Sequence, residues 1–386
     1  MRLIGWRTRT LTAGIAAASA LLVLPGTPAN ADPAGTTVAT TTLPDGFRGI
    51  ADATIVDYWT TRSNGEPVKA SGALFVPQGQ PPAGGWPIMA YDHGTSGMGP
   101  GCGGQTDTSH VNRPAEDKVL QYFVNKGFAV VAPDYLGLGR FDTGPHPYLE
   151  IRTEATATID LVKAAREIRS DLSRSWAVTG FSQGGQAALG TANLQSAITP
   201  DLDFRGTIAV DPESDLEKVA PFVGPWVPAI PGQAGAGVNS FVVSMLAGMR
   251  ATHPEVDLNS YLTPRGRDVV DQASTMCLTD IMKLTDGMGI GEMLSRPLND
   301  PAVQAVVNEY LTVPVSGYDA PILLLLNATD TTVPSPLHAA LAAQFAANRV
   351  DYSMVVGTGT HTQLNPQMWD AIGAFTDRVL ATPTRP

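Results

Sequence analysis

Hydrophobic and polar positions form two kinds of alternating segment from about residue 86 onward. Short apolar runs typical of buried strands are followed by longer stretches with apolar residues three and four positions apart, as in amphipathic helices. The strand-like runs are 86–94, 128–139, the residues leading into Ser182, 204–212, 320–330 and 352–361. The helix-like stretches are 115–127, 151–168, the one after Ser182, 335–349 and 367–381. Buried strands alternating with helices predict an α/β fold, with a mostly parallel sheet covered on both faces.

One region breaks this alternation. Residues 216–318 contain no convincing core strand, but they contain helical stretches and six of the eleven methionines. We interpret them as a helical cap inserted between two parts of the core, 47–215 and 319–386. The methionines have two alternative roles, as filling of a helical core or as a deformable lining for a flexible apolar ligand. They are Met245, Met249, Met276, Met282, Met288 and Met293.

The first 31 residues have the pattern of a secretory signal peptide. Three arginines precede the apolar run 11–24, and small residues lead to Ala31. A membrane anchor needs roughly 20 apolar residues, whereas this run is shorter and is broken at Pro25. We therefore predict cleavage after Ala31 and a secreted, extracellular protein. The polar, small residues 32–46 that follow predict a loose N-terminal arm.

The net charge of the chain limits the classes of partner that it is expected to bind. Loss of residues 1–31 removes three arginines and no acid, which takes the formal net charge from −11 to −14. An acidic chain without a basic cluster is not expected to bind nucleic acid. No stretch beyond residue 31 is apolar for long enough to predict a membrane span. The oligomeric state is left open by the sequence.

The chain has only two cysteines, Cys102 and Cys277. In an oxidising compartment such a pair favours a disulfide over two free thiols. The loop closed in this way would be long, and the chain-entropy model gives it about 4–5 kcal/mol of stabilisation. The wide spacing, without a nearby Cys or His partner, is not that of a zinc site.

A glycine-rich turn surrounds Ser182. The stretch "AVTGFSQGGQAAL" (177–189) passes from a strand-like run into a helix-like one, with Gly180 and Gly184 on either side of the serine. A sharp strand-to-helix turn with a nucleophilic serine at its apex requires neighbours without side chains. The alternative is a serine that only caps the helix.

A nucleophilic serine needs a base and an acid, which nucleophile-elbow folds supply in the order Ser, acid, His. His361 follows a strand-like run and a glycine-containing loop, where a base is expected, whereas His338 falls within a helical stretch and is predicted to be solvated or to cap it. Asp330 closes a buried strand upstream of His361, and its alternative role is that of a turn residue. Asp351 is a poorer candidate because it precedes its strand.

Backbone N–H groups should stabilise the oxyanion of such a reaction. The predicted donors are the N–H of Gln183, directly after the serine, and one from the turn after the strand at 86–94. Thr95 is the first choice there, with His93 and Gly94 as alternatives. The side chain of His93 is predicted to make structural hydrogen bonds, and its pairing with Asp92 is weak evidence for a metal. The site predicts acyl transfer with no cofactor and no metal.

At this point the sequence resembles the secretory lipases of the lipase A-like family, within the α/β-hydrolases. The resemblance rests on "YDHGTSGMGPGC" (91–102), "PDYLGLG" (133–139), "GFSQGG" (180–185), "THPEVDLNSYLTPRGRD" (252–268), "CLTD" (277–280) and the tail Asp330, Val333, Pro334 and His361. It implies the triad Ser182, Asp330 and His361, and a disulfide between Cys102 and Cys277 that ties the oxyanion loop to the cap. It also implies a helical lid over an acyl-chain tunnel.

Four alternative functions are compatible with these expectations. The leading one is a triacylglycerol lipase that acts on lipid esters, with interfacial contact as an open question. A short-chain carboxylesterase or polyesterase would use the same triad. A serine peptidase of the same superfamily would need acidic residues in the cap to anchor a peptide terminus. A hydrolase-like binding protein without activity is the fourth, and the presence of all three triad residues argues against it. The cap acids that could anchor a peptide are Glu255, Asp257, Asp271 and Asp280.

Overall fold

One large sheet forms the centre of the protein. The computed structural model describes residues 32–106 and 114–381, so the predicted signal peptide lies outside the described residues. Within these ranges nine strands form one sheet in the order β1-β2-β3-β5-β4-β6-β7-β8-β9. The strands are β1 Thr37–Leu43, β2 Asp52–Thr61, β3 Pro67–Val76, β4 Trp86–Asp92, β5 Ala129–Pro133, β6 Leu172–Phe181, β7 Asp203–Val210, β8 Ile322–Asn327 and β9 Tyr352–Gly357.

The sheet is parallel from β5 to β9 and antiparallel at its first edge. Strands β1, β2, β3 and β5 pair antiparallel in that order, whereas β5, β4, β6, β7, β8 and β9 pair parallel. Parallel neighbours require crossover connections, and helices supply them here. This confirms the predicted α/β sheet and places the carboxyl ends of β4, β6, β7, β8 and β9 along one edge.

Helices fill the connections after β4. They are α1 Pro114–Asn125, α2 Ile151–Ile168, α3 Gln183–Ile198, α4 Leu216–Val219, α5 Gly232–Thr252, α6 Pro264–Ala273, α7 Leu278–Thr285, α8 Ile290–Met293, α9 Pro301–Leu311, α10 Ser335–Ala347 and α11 Pro366–Ala381. None of the helices in the described part of the chain is long and apolar enough to cross a membrane.

Alternate residues of the central strands pack on opposite faces of the sheet. In β4, Ile88 and Ala90 join one apolar cluster, with residues of α2 and α3, whereas Met89 and Tyr91 join another, with residues of α1 and α11. Successive side chains of a strand point to opposite faces, so a strand covered on both sides is apolar throughout. The continuous apolar runs in the sequence have this origin.

The segment predicted as a loose arm contains an ordered strand instead. Strand β1 pairs antiparallel with β2, with Leu43 opposite Ala53 and Thr40 opposite Val56. Several of its threonines are exposed, which is the polar pattern expected for a strand at the edge of a sheet. The prediction for residues 32–46 was wrong because backbone pairing, rather than apolar burial, orders an edge strand of this composition.

Only helices and turns connect β7 to β8. Helices α4 to α9 share their own apolar cluster. Of the six methionines in this segment, four are buried and two are half-buried. None of them lines the large cavity described below, so among the described residues the core-filling role applies. The boundaries 216 and 318 for a separate cap remain a prediction.

A disulfide joins the loop after β4 to this helical segment. Cys102 and Cys277 are bonded with their Cα atoms 5.3 Å apart, as predicted. Backbone hydrogen bonds support the same contact, from Met98 N to Met276 O at 2.9 Å and from Leu278 N to Ser96 O at 2.9 Å. The loop next to the predicted oxyanion turn is therefore fixed to α7 by covalent and hydrogen bonds.

Candidate active site

Ser182 lies at the turn between β6 and α3. Its φ of 58° and ψ of −121° are rare for a residue with a side chain, and its side chain accepts no bond that would cap α3. The backbone N–H of Ser182 donates to Val210 O at 2.9 Å, and its carbonyl accepts from Gly185 N at 2.8 Å. Strained φ and ψ values persist only where the surrounding structure fixes them. The local geometry is that of a nucleophile elbow rather than a helix cap.

The glycines beside the serine allow this close packing. A Cβ atom at Gly180 would lie 1.9 Å from the carbonyl oxygen of Gly184, and one at Gly184 would lie 2.0 Å from the carbonyl oxygen of Asp92. Both distances are far below van der Waals contact. The turn can therefore form only if both positions lack a side chain, which explains the spacing seen in the sequence.

His361 and Asp330 are hydrogen-bonded to each other. Nδ1 of His361 lies 2.6 Å from Oδ2 of Asp330, whose other oxygen accepts from Thr332 N at 2.8 Å. Burial alone would raise the pKa of Asp330, but hydrogen bonds from His338 and His361 outweigh it and hold the pKa below its usual range. Burial alone would lower the pKa of His361, but Asp330 raises it above its usual value. The carboxylate thus stabilises a charged imidazole.

His338 is not the solvated or capping residue predicted from the sequence. It lies on the inner side of α10 and is 2% exposed, with Nε2 3.2 Å from Oδ2 of Asp330 and 3.6 Å from Oδ1 of Asp211. The prediction was wrong because α10 packs on β8, so this position turns inward. Two imidazoles therefore share one carboxylate oxygen.

Asp211, at the end of β7, completes this network and was missed by the sequence analysis. Its carboxylate accepts from the backbone N–H groups of Asn327 and Thr362, both at 2.7 Å. Asp211, Asp330 and His338 could offer a metal ion three ligand atoms within 4.8 Å of one another. Because their oxygens already accept several hydrogen bonds, the arrangement suits a network that fixes the His361 loop.

The turn after β4 lies against Ser182. Gly94 and Thr95 line the same cavity as Ser182, and a Cβ on Gly94 would lie 3.9 Å from Cβ of Ser182. The hydroxyl of Thr95 is 2.8 Å from the hydroxyl of Tyr148. The buried ring of His93 instead contacts backbone oxygens, with Nδ1 2.7 Å from Gly94 O. Its side chain therefore has the structural role predicted for it.

Gln183 is the first residue of α3, and its side chain is fixed by contacts with two buried residues. Nε2 of Gln183 lies 2.7 Å from Oε1 of Glu154 and 2.8 Å from Nε2 of His146. Burial raises the pKa of Glu154 well above its usual value and lowers the pKa of His146 to about 3. Burial therefore favours the uncharged form of each group. The first N–H groups of a helix have no acceptor within the helix, so the Gln183 N–H is suited to an oxyanion.

Glu213 is a further carboxyl group beside the serine. It is 4% exposed, and its Oε1 lies 3.4 Å from Oγ of Ser182. Burial raises the pKa of Glu213 to about 7. The sequence did contain a signal for it, because Asp211, Glu213 and Asp215 follow directly after a buried strand whose end meets the site.

Ser182 and His361 open onto one cavity of about 940 Å³. The four cap acids that a peptidase could have used are all exposed, and none is among the described residues that line it. Nε2 of His361 is buried, and no described group forms a hydrogen bond with it. The cavity is lined by apolar and aromatic residues from several elements, including Tyr91, Val119, Phe181, Phe241, Leu278 and Trp369.

The family comparison covers most of the chain. A family model described as secretory lipase matches residues 104–384. A probable inactive lipase of Mycobacterium tuberculosis is 24% identical over 260 residues, which are 64% of this chain and 54% of that protein. A secreted triacylglycerol lipase of Malassezia furfur is 24% identical over 199 residues, which are 48% of this chain and 47% of that protein. The chain thus spans about half the length of the curated relatives that it matches.

A solved structure agrees on the fold. Lipase A of Candida antarctica superimposes with a TM-score of 0.73 at 17% identity, over 92% of this chain and 84% of that one. Similarity at this level of identity establishes the fold alone. The nine-stranded sheet with its covering helices is an α/β-hydrolase fold, as predicted.

Proposed function

The chain belongs to the secretory lipase family, and we propose that it is a serine carboxylic-ester hydrolase with Ser182, His361 and Asp330 as its catalytic triad. One observation carries this proposal. Nδ1 of His361 lies 2.6 Å from Asp330, while His361 shares a cavity with a serine in a strained elbow conformation. Nucleophilic catalysis by serine needs these three groups together.

In the proposed reaction, Oγ of Ser182 attacks the ester carbonyl carbon as its proton moves to Nε2 of His361. Asp330 accepts the Nδ1–H bond, which fixes the tautomer and stabilises the imidazolium. The C–O bond to the alcohol breaks as His361 returns the proton to the leaving oxygen, which leaves an acyl-enzyme. Water then attacks the acyl group, with His361 again as base, and the carboxylic acid is released.

The oxyanion of each tetrahedral intermediate would accept hydrogen bonds from the N–H of Gln183 and from the turn at Thr95. The side-chain contacts of Gln183 with His146 and Glu154 support this role, because they fix the start of α3 before substrate binds. The hydroxyl of Thr95 offers a second donor beside its backbone N–H. Removing one such donor typically costs about 3–4 kcal/mol of transition-state stabilisation.

Triacylglycerols are the proposed substrate class, and the segment 216–318 is the proposed lid. The apolar lining of the cavity suits acyl chains. The segment also exposes large apolar side chains, with Phe222 73% exposed and Trp226 63% exposed. The sequence from Val219 to Met249 contains no charged residue, although the chain has a net charge of −11. An uncharged surface with exposed aromatic residues fits a neutral lipid surface.

Secretion is part of the same proposal. The disulfide between Cys102 and Cys277 fits an oxidising compartment, and residues 1–31 have the composition of a signal peptide cleaved after Ala31. One relative is described as a probable inactive lipase. The presence of Ser182, Asp330 and His361 in this chain supports an active enzyme rather than a binding protein.

The test uses purified mature protein and a Ser182→Ala variant with p-nitrophenyl esters from acetyl to palmitoyl and an aminoacyl p-nitroanilide. We expect hydrolysis of long esters by the wild type, and a loss of at least about 10³-fold in the variant. Activity limited to acetyl and butyryl esters would identify an esterase with the same triad. Cleavage of the anilide alone would identify a peptidase. Full activity of the variant, or none in the wild type, would contradict the catalytic proposal.

A further inference from the structure

We propose that Glu213 is a further catalytic residue, whose carboxylate contacts the nucleophile Ser182 and stabilises the imidazolium of His361 during acyl transfer. This inference rests on the proposed function, because it takes Ser182 as nucleophile and His361 as base. It adds a second carboxylate to the site, on the serine side, whereas Asp330 lies on the Nδ1 side of the imidazole.

The backbone holds Glu213 against the nucleophile. The N–H of Glu213 approaches the carbonyl oxygen of Ser182 at 3.4 Å, and the N–H of Ser182 donates to Val210 O at 2.9 Å. Glu213 therefore lies in the turn after β7, directly beside the elbow. Its carboxyl group is buried with Oε1 3.4 Å from Oγ of Ser182. A buried acid in contact with a reacting atom needs an explanation, because burial without compensation destabilises its charge.

The long hydrogen bond between Ser182 and Glu213 suits a nucleophile whose hydroxyl must rotate towards His361 during the reaction. At 3.4 Å, the hydroxyl of Ser182 is held only weakly by Glu213. Nε2 of His361 has no hydrogen-bond partner among the described groups. In the reaction the hydroxyl rotates from Glu213 to His361 and gives its proton to Nε2. Glu213 gains and loses no proton in this step, and its contribution is its negative charge.

Glu213 faces the charged groups of the site from several elements. His361 and His338 favour its ionised form, whereas Asp330 opposes it, and the hydroxyl of Ser182 donates to it. The ionised Glu213 in turn raises the pKa of His361 and of Tyr148. A negative charge that favours the charged imidazole in the resting enzyme also favours it in the transition state, where His361 carries the serine proton. The other titratable groups close to it in the chain are Asp211 and Asp215 in the same turn and Glu217 in α4.

A catalytic charge on Glu213 should make the activity depend on pH in a way that a structural role would not. The pKa of Glu213 is raised to about 7. Below that pH the carboxyl group is neutral, like the amide of glutamine, so Glu213→Gln should match the wild type. Above it the wild type gains the negative charge and the variant does not. The ratio of kcat/KM, wild type to variant, should therefore rise with pH.

The experiment measures kcat/KM of wild type and Glu213→Gln with p-nitrophenyl butyrate from pH 5.5 to 9. We expect the ratio to rise several-fold from near 1, as one titration with a midpoint near pH 7 where Glu213 becomes ionised. The matched control is Glu217→Gln, a buried acid nearby whose charged neighbours are Asp215 and Lys218. Its ratio should not change with pH.

A ratio for Glu213→Gln that stays constant with pH, or that falls as pH rises, would overturn the inference. If Glu213→Gln does not fold, Glu213→Asp provides the same test, because it keeps the charge but withdraws it from Ser182. A deficit confined to pH values above 7 would support the role, and a uniform deficit would overturn it. Ser182→Ala separates the two proposals. If it is inactive and the ratio is flat, only the role of Glu213 fails, and if it is active the proposed function fails.

Discussion

Nδ1 of His361 lies 2.6 Å from Oδ2 of Asp330. The same oxygen is approached by Nε2 of His338 at 3.2 Å, and the carboxylate of Asp211 accepts a hydrogen bond from the backbone N–H of Thr362, next to His361. The acid of the proposed triad is therefore positioned by contacts on several sides rather than by its turn alone. This makes its orientation rigid, which favours a single tautomer of His361.

Replacing the acid tests this relationship. Asp330→Asn should lower kcat on p-nitrophenyl butyrate by about 10³–10⁴-fold, because the amide cannot stabilise the imidazolium and favours the wrong tautomer. The control is Asp351→Asn, since Asp351 is exposed and precedes β9. That variant should keep its activity. A loss of less than tenfold in Asp330→Asn would remove Asp330 from the triad.

The activity should decrease at low pH, and the midpoint of this decrease should lie above the ordinary pKa of histidine. His361 must be neutral to accept the serine proton, and Asp330 raises its pKa above 6.5. Since protonation inactivates the base, kcat/KM of the wild type should decline as pH falls through a value higher than 6.5. A pH profile between 5 and 9 measures this midpoint. A midpoint clearly below 6.5 would contradict the interaction of His361 with the carboxylates of Asp330 and Glu213.

Removing the disulfide should destabilise the protein. The bond between Cys102 and Cys277 spans 175 residues, and the chain-entropy model gives a loop of that length about 5 kcal/mol. The double variant Cys102→Ser/Cys277→Ser should therefore unfold at a lower denaturant concentration than the oxidised wild type. The wild type under reducing conditions is the control and should behave like the variant. Equal unfolding midpoints for oxidised wild type and variant would refute the prediction.

A methyl group at Gly184 should disrupt the elbow. Its Cβ would lie 2.0 Å from the carbonyl oxygen of Asp92, so the backbone must move. Gly184→Ala should lower the free energy of unfolding by about 1–3 kcal/mol or more, and activity with it. Gly237→Ala in α5 is the matched control, because no atom beyond its chain neighbours and its own helix backbone lies within 4 Å of its Cβ position. In a helix that change should be neutral or stabilising, and an equal loss in both variants would contradict the steric argument.

The exposed aromatic residues Phe222 and Trp226 should affect the rate of hydrolysis only when the substrate is aggregated. The double variant Phe222→Ser/Trp226→Ser should hydrolyse emulsified tributyrin several-fold more slowly, since it loses apolar area for contact with a lipid surface. Its activity on dissolved p-nitrophenyl acetate should stay at the wild-type level. A matched pair of exposed residues on β9, Met354→Ser/Val356→Ser, is the control. Equal effects of the two double variants on emulsion would argue against this surface.

Much of the fold could be read from the sequence because its signals are local. The boundaries of α2 were predicted to the residue, since amphipathic periodicity persists over its whole length. Strand β5 is shorter than the predicted 128–139, because the apolar run continues into a turn whose last carbonyls, those of Leu138 and Gly139, accept hydrogen bonds from the loop after β4. Strand β1 was missed because its threonines carry no burial signal, and only pairing with β2 orders it.

The sequence by itself determined the α/β layering, the disulfide partners and the candidates Ser182, Asp330 and His361, because strand ends, glycine spacing and chain order are local or linear properties. The tertiary structure decided which side chains meet. Glu213 lies 31 residues from Ser182 along the chain but 3.4 Å from its hydroxyl in space, since the parallel neighbours β6 and β7 bring their carboxyl ends to one edge of the sheet. Which side chains of these turns touch depends on how they pack across that edge. The order of residues along the chain does not determine these contacts by itself.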